Sequence, residues 1–180
     1  MIQESDEQLV KKSAEGDLSA FKLLVIRHEG KVAGVVKSMV GSGDDAVDIG
    51  QEVFIKFFES LHKFRGESAV STYLIRIAIN LSLNEIKRRK RRFSFFAPAE
   101  AGEQVAAKED KKDLKEMLDY QFNQLDPDFK AVATLRLIEG YSTEETASLL
   151  QIPLGTVLSR LARAQKKLRT GLEKHLTHSL

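Results

Sequence analysis

The sequence predicts an all-α fold of two small helical domains joined by a flexible linker, with a helix-turn-helix in the second domain. Strand signals are nearly absent, whereas apolar residues recur at helical spacing along the whole chain. The stretch APAEAGEQVAAKEDKK has few large apolar side chains, so it cannot bury enough surface to offset the entropy lost on ordering. We therefore predict domains at residues 1–94 and 113–180 and a linker at 95–112.

Helical periodicity and the residues that start or stop helices predict eight helices. Their expected spans are 6–14, 18–40, 45–61 and 71–91 in the first domain, and 113–125, 127–139, 143–150 and 154–175 in the second. In the third helix Val53, Phe54, Phe57 and Phe58 form an apolar side, which we expect in the core. Its polar residues are left for the surface.

The fourth predicted helix joins an apolar stripe to a polar and cationic face. The stripe consists of Leu74, Ile77, Ala78 and Leu81. The second face holds Arg76, Asn80, Asn84, Lys87 and Arg91. Amides hydrogen-bond base edges and cations hold phosphates, so this face suits nucleic acid. A solvated face with a basic end that favours the helix dipole is the plainer alternative, but asparagine is a poor helix former with no local reason to occur there twice.

The helix-turn-helix is predicted by YSTEETASLLQIPLGTVLSRLARAQKKLR. Ser142 and Glu145 have the spacing of a capping box, which starts a short helix, and QIP is a tight break. The helix that follows has an apolar side opposite a basic one. A basic second helix after a tight break is typical of a recognition helix that enters the major groove, although any short helical hairpin can imitate this pattern.

Charge is segregated along the chain although the net charge is only +2. Residues 61–92 carry nine basic and two acidic side chains, and residues 129–180 carry eight and four. The other two segments are acidic. A charge run alone fits a solvated surface as well as it fits nucleic-acid binding.

Composition argues against several classes of protein. Cysteine is absent, the four histidines have no ligand spacing, and no glycine-rich phosphate loop or nucleophile-base pair occurs. We therefore expect no enzyme, no metal site and no cofactor. The first residues are polar and acidic, and no apolar run approaches a membrane span, so we expect a cytoplasmic protein without direct membrane insertion.

Three stretches together resemble, in order and spacing, domains two and four of bacterial RNA polymerase sigma factors of the extracytoplasmic-function (ECF) group. They are AEGDLSAFKLLVIRHEGKV, DIGQEVFIKFFESLHKFRGESAVSTYLIRIAINLSLNEIKRR and LDPDFKAVATLRLIEGYSTEETASLLQIPLGTVLSRLARAQKKLR. The resemblance implies a protein that binds core RNA polymerase and directs promoter-specific transcription initiation. It also implies promoter DNA, duplex and melted, and an anti-sigma protein as partners.

Within the first domain the resemblance implies two sites. The helix in DIGQEVFIKFF would dock on a helical coiled coil of the largest polymerase subunit through Asp48, Gln51, Glu52, Ile55 and Lys56. The loop in FRGESAVSTYL would receive a base flipped out of the minus-ten element, with a pocket formed by Phe64, Ser68, Ala69, Val70, Ser71 and Asn80. Further minus-ten contacts would come from Tyr73, Arg76, Asn84, Lys87, Arg88 and Arg91.

Two departures from the family pattern bear on these roles. Tyr73 stands where the family usually has tryptophan, which keeps stacking but reduces its area. For the minus-thirty-five element the implied contacts are Thr156, Leu158, Ser159, Arg160, Ala162, Arg163 and Lys167. Leu158 and Ala162 differ from many relatives, so base preference cannot be copied, and thymine methyl contacts gain weight.

A stand-alone transcription regulator is the main alternative, because it would use the same helix-turn-helix on duplex DNA without polymerase. The basic, loop-associated first domain discriminates against it, since a simple repressor has no use for one. The phenylalanines at positions 93, 95 and 96 have no role in the family pattern; packing against a domain and contact with a partner both remain open.

Overall fold

The computed structural model describes residues 4–96 and 114–178. Across these two ranges the regular structure is helical and no strand occurs, which confirms the all-α class. The chain divides into two compact units, one built around Met1–Ser82 and the other around Leu83–Ser148 and Ile152–Leu180. The predicted linker beyond residue 96 lies outside the described residues.

The first part of the chain contains four helices among the described residues. They are α1 (Asp6–Ala14), α2 (Leu18–Val40), α3 (Asp44–Ser60) and α4 (Val70–Phe96), with a 3₁₀ turn at Leu61–Lys63 after α3. The spans predicted for α1 and α2 agree at both ends. Helix α4 continues five residues beyond its predicted end at 91, through the last residue of the basic run and on to Phe96.

The second part begins with α5 (Leu114–Asn123) and α6 (Pro127–Ala133), and α6 passes into a π-helical turn at Thr134–Ile138. Helices α7 (Thr143–Leu150) and α8 (Leu154–His178) follow and form the helix-turn-helix. The sequence predicts a single helix from 127 to 139, and the π-helical turn is a departure from it.

Side-chain caps explain where several helices begin. The Ser5 hydroxyl accepts from the Gln8 backbone, and the Gln8 side chain accepts from Ser5 in return. Asp17 accepts from two backbone amides at the start of α2. The predicted capping box of α7 is confirmed, since Ser142 N donates to Glu145 Oε2 at 2.7 Å and Glu145 N donates to Ser142 Oγ at 3.1 Å.

In the first unit, the sides of α3 and α4 that face the core are rotated relative to the predicted ones. Val53 and Phe57 are fully buried, as expected, but Phe58 is 41% exposed. On α4 the buried stripe of this unit consists of Leu74, Ile75, Ala78, Ile79 and Ser82. Ile77 and Leu81, predicted for the core, are only half-buried. Isoleucines and leucines surround this part of α4, so packing rather than periodicity decides which of them turn inward.

The second unit has a compact core of its own around α8. Leu125, Ala133 and Ala164 are buried together, and Phe122, Phe129 and Leu168 pack against them. Because small alanines from α6 and α8 face each other, the two helices approach closely. This packing holds α8 with its other side towards solvent.

Candidate nucleic-acid interface

The predicted docking residues share one exposed side of α3. Their side chains are exposed at all five positions, Asp48, Gln51, Glu52, Ile55 and Lys56. Ile55 is 56% exposed in the middle of this polar surface, and neighbouring Val47 is 59% exposed. Glu52 and Lys56 form an ion pair at 3.5 Å. An apolar centre with a charged border is a composition that fits a protein partner.

A pocket of about 430 Å³ opens between α2 and α3 beside this surface. Gly43 at the N-cap of α3, and Ala46 and Gly50 within the helix, line it, and because they are small they leave the space between the helices unfilled. Gln51 belongs both to this pocket and to the predicted docking set. The surface of α3 is therefore grooved as well as exposed.

The loop before α4 is supported by a cluster of aromatic rings. Phe64 meets Tyr73 edge to face at 5.3 Å, and both rings contact Phe57, at 5.9 and 5.8 Å. Phe57 is fully buried, so this cluster anchors the loop to the core. Gly66 turns the loop at φ 71°, in the left-handed region that glycine adopts without strain.

The other predicted pocket residues differ in accessibility. Ala69 is exposed, and Ser68 and Ser71 are half-buried. Val70 is only 3% exposed, so its side chain belongs to the core and could support the loop but not touch a base. A base entering this loop would meet backbone, hydroxyls and the edges of Phe64 and Tyr73.

One exposed face of α4 carries the predicted polar and cationic residues. Asn80, Asn84, Lys87 and Arg91 are exposed along it, and Arg76 is half-buried. Amides come first and cations follow towards the end of the helix. This order would place base-edge donors and acceptors nearest the loop and phosphate-binding groups beyond them.

A buried carboxylate on α4 was missed by the sequence analysis. Glu85 is 8% exposed. It pairs with Arg88 Nε at 2.7 Å and Arg89 Nε at 3.0 Å, and Arg92 Nη2 lies at 3.7 Å. The spacing of three, four and seven residues along one helix was visible in the sequence and could have revealed the group. Arg88, predicted as a phosphate contact, is thus already engaged.

The helix-turn-helix presents one side of α8 to solvent. Leu158, Ser159, Ala162, Arg163 and Lys167 are exposed, and Thr156 and Arg160 are half-buried. Leu158 is 50% exposed although it is apolar. Gln151, between α7 and α8, has a φ of 54°, which is unusual for a residue other than glycine. The tight turn predicted at QIP is therefore present.

Two ion pairs at the start of α6 hold cations of α8, and the sequence analysis missed both. Arg160 Nη2 lies 2.7 Å from Asp128 Oδ2, and Lys167 Nζ lies 2.5 Å from Asp126 Oδ2. The hydrogen bond from Lys167 lowers the pKa of Asp126. Lys167 also lies over the Phe129 ring at 5.3 Å. The partners are more than thirty residues apart in sequence, so no local spacing could indicate them.

Other kinds of site find no support in the part of the chain that the structure describes. Within residues 4–96 and 114–178, no three histidine, aspartate or glutamate side chains form a group that could hold a metal ion. In the same residues no helix has the length and apolar character to cross a membrane.

An exposed amide-and-cation face on α4 and a helix-turn-helix formed by α7 and α8 are the two features that suit a helical DNA-binding protein. Comparison with known protein families gives one match for each of these two parts of the chain. Residues 24–92 match the model of Sigma-70 region 2, and residues 115–168 match that of Sigma-70, region 4. The first match includes α4 as far as residue 92, and the second includes α7 and α8 as far as residue 168.

Relatives agree over nearly the whole length. The chain is 35% identical to the RNA polymerase sigma-H factor of Pseudomonas aeruginosa, over 96% of each chain. It is also 35% identical to the ECF RNA polymerase sigma-E factor of Escherichia coli K12, over 90% of this chain and 91% of that one. The chain therefore belongs to the ECF RNA polymerase sigma factors, which confirms the resemblance drawn from the sequence.

A solved structure supports the same fold. The sigma factor RpoE from Bartonella quintana, determined in complex with the anti-sigma factor NepR, superimposes with a TM-score of 0.66. The two chains are 22% identical, and the match covers 85% of this chain and 96% of that one.

Proposed function

We propose that this chain binds core RNA polymerase and directs transcription initiation at promoters that carry its minus-thirty-five and minus-ten elements. The observation that carries the proposal is the exposed side of α3, with Ile55 at its centre, in the same unit as the loop and the start of the DNA-facing helix. A regulator that acts on duplex DNA alone needs only the helix-turn-helix. Membership of the ECF sigma factors supports the polymerase as the partner of α3.

At the minus-ten element, α4 and its preceding loop would capture the opened strand. A flipped base would enter beside Phe64 and Tyr73, whose rings are fixed by Phe57. Asn80 and Asn84 would hydrogen-bond base edges, and Lys87 and Arg91 would hold phosphates. Unstacking costs a few kcal/mol per base, which capture of the strand would offset, so no catalytic residue or cofactor is needed.

At the minus-thirty-five element, α8 would lie in the major groove. Its exposed residues Leu158, Ser159, Ala162 and Arg163 would face base edges. Thr156 and Arg160 are half-buried. Arg160 is paired with Asp128 in the first turn of α6, and Lys167 is paired with Asp126 at its N-cap. Because they are paired in this way, Arg160 and Lys167 are better suited to position α8 against the DNA phosphate backbone than to read a base.

We further propose that the chain is not an enzyme, that it acts in the cytoplasm with the polymerase, and that an anti-sigma protein binds it. The solved relative RpoE was crystallised with an anti-sigma factor, which supports the last of these partners. The exposed apolar residues of α2 and α3, Ile26 and Val47 among them, offer surface for such a protein.

Reconstitution tests the proposed function directly. The purified full-length chain and core RNA polymerase are combined and given a library of genomic fragments in a run-off transcription assay. We expect defined transcripts that require both proteins, and stable binding of the chain to core polymerase without DNA. Tight footprinting of promoter duplex by the chain alone, without any binding to polymerase, would support the stand-alone regulator instead.

A further inference from the structure

Glu85 is an almost buried carboxylate within the most basic stretch of the chain. Its side chain is 9% exposed, and its two oxygens bind Arg88 Nε and Arg89 Nε at 2.7 and 3.0 Å. Arg92 Nη2 completes the group at 3.7 Å. One carboxylate therefore engages three of the six consecutive cations from Lys87 to Arg92.

The burial of Glu85 makes these pairs hard to break. A carboxylate withdrawn from water destabilises the fold unless cations and hydrogen bonds compensate its charge. If Arg88 or Arg89 left to bind a phosphate elsewhere, the buried charge would lose a partner. Arg88 and Arg92 are 59% and 58% exposed at the side chain, so they reach solvent while they remain tied to the carboxylate.

Helix geometry separates these arginines from the other cations. At about 100° per residue, Arg89 and Arg92 lie on the Glu85 side of α4, and Arg88 lies at its margin. Lys87 and Arg91 lie on the opposite side, in line with Asn80 and Asn84. The basic run is thus divided between two faces.

We propose that Glu85 is a positioning residue that sorts the cations of α4. It withholds Arg88, Arg89 and Arg92 from DNA, so phosphate contact falls to the three remaining cations of the run: Lys87 and Arg91 on the face that carries the asparagines, and exposed Lys90 beside it. This inference rests on the proposed DNA-binding role of α4. Binding to any DNA sequence grows with the number of phosphates neutralised, so withholding three arginines limits non-specific binding and leaves discrimination to base contacts.

The first test is Glu85→Gln, which keeps the shape of the side chain but removes its charge. The full-length chain is titrated with a random-sequence duplex by fluorescence anisotropy, from about 50 to 200 mM salt. We expect tighter binding, with a log–log salt slope steeper by about 0.9 for each arginine that reaches a phosphate. The matched control is Glu59→Gln, an exposed glutamate on α3 whose replacement makes the same change of net charge. A Glu85→Gln variant that binds like Glu59→Gln, or does not bind at the lowest salt, overturns the proposal.

A second pair of variants leaves Glu85 in place, so it tests the proposal even if Glu85→Gln fails to fold. Arg91→Gln and Arg92→Gln remove equal charge from adjacent exposed positions. Arg92 is the most distant partner of Glu85, so Arg88 and Arg89 still compensate the carboxylate in its absence. We expect Arg91→Gln to flatten the salt slope by about 0.9 and Arg92→Gln to leave it unchanged.

The outcomes separate this inference from the proposed function. If Arg92→Gln flattens the slope as much as Arg91→Gln, Glu85 does not sort the cations, although α4 still binds DNA. If neither Arg91→Gln nor Lys87→Gln changes the slope, α4 does not bind duplex phosphates and the inference is overturned, whereas capture of the opened strand is decided by the run-off transcription assay. Far-UV circular dichroism of each variant confirms that the helices are retained.

Discussion

The ring of Phe64, at the start of the loop before α4, meets the ring of Tyr73, in the first turn of α4, edge to face with centroids 5.3 Å apart. Both rings also contact the buried ring of Phe57. The two residues that would stack on a captured base are therefore fixed by the core before any DNA arrives. A site fixed in this way loses little conformational entropy when it binds.

Tyr73→Leu should weaken both the fold and promoter opening. Loss of its two ring contacts should lower the free energy of unfolding by about 1 kcal/mol, measured by urea denaturation. Open-complex formation, followed by permanganate footprinting, should fall because no ring remains for stacking. Tyr73→Phe keeps the ring and should match the wild type in both assays. Normal opening by Tyr73→Leu would remove Tyr73 from the proposed site.

Asn80→Ala should change the preference at one minus-ten position. Loss of a hydrogen bond that selects one base should reduce the binding free energy by about 1 to 3 kcal/mol for templates with the preferred base and by little for the others. Lys87→Ala is its control on the same face. It should weaken binding to all templates alike and reduce the slope of log binding constant against log salt concentration by about 0.9. Transcription is measured on templates varied at each position. An equal loss on all templates would place Asn80 with the phosphate contacts.

Ile55→Ser should weaken binding to core polymerase without unfolding the chain. Ile55 is 56% exposed, so the fold loses little from the change, whereas an interface built on it would lose an apolar anchor of about 1 to 2 kcal/mol. Ile138→Ser is the matched control, since Ile138 is 53% exposed and lies in the other unit. Binding is measured by surface plasmon resonance on immobilised core. Equal effects of the two variants would argue against α3 as the docking helix.

Lys130 should make the second unit more stable as pH rises above neutrality. Burial lowers its pKa to about 8 in the folded chain, from an ordinary value of 10.5. Between these values the unfolded chain binds the proton and the folded chain does not, so the free energy of unfolding rises with pH, by about 3 kcal/mol over the whole window. Urea denaturation at both ends of this window measures it. Lys130→Met should abolish the rise, and an unchanged rise would exclude Lys130 as its source.

Gln151→Gly should stabilise the helix-turn-helix. Gln151 holds a φ of 54°, a conformation that costs a side chain about 1 kcal/mol and glycine nothing. Gln165→Gly is the opposite control, because Gln165 is exposed within α8, where glycine should destabilise by about 1 kcal/mol. Thermal denaturation of the two variants should therefore shift in opposite directions. A lower melting temperature for Gln151→Gly would contradict this account of the turn.

The starts of several helices in this protein can be predicted from local sequence alone. Ser5, Asp17 and Ser142 cap helices through residues two or three positions away, so α1, α2 and α7 begin where the sequence predicts. Local sequence does not determine which side of α4 faces the core. Isoleucine or leucine occurs at several angles around it, and only packing turned Ile75 and Ile79 inward and left Ile77 at the margin.

The candidate site shows the same division. Its exposed residues, such as Asn80 and Ser159, could be chosen from helix periodicity and family resemblance. The ion pair between Arg160 and Asp128 could not, because a fold must first bring residues 32 positions apart together. Glu85 is an intermediate case, since its spacing to the arginines was visible but its burial was not.

The ion pairs at the start of α6 also bear on how promoter preference could diverge. Asp126 and Asp128, together with the apolar core around Ala164, hold α8 through residues other than Leu158, Ser159 and Ala162. Substitutions at these three exposed positions would therefore leave the orientation of the helix intact. A duplicated copy of the gene could acquire a new promoter set in single steps, each stable enough to persist, and a laboratory could obtain mutually orthogonal variants by the same route.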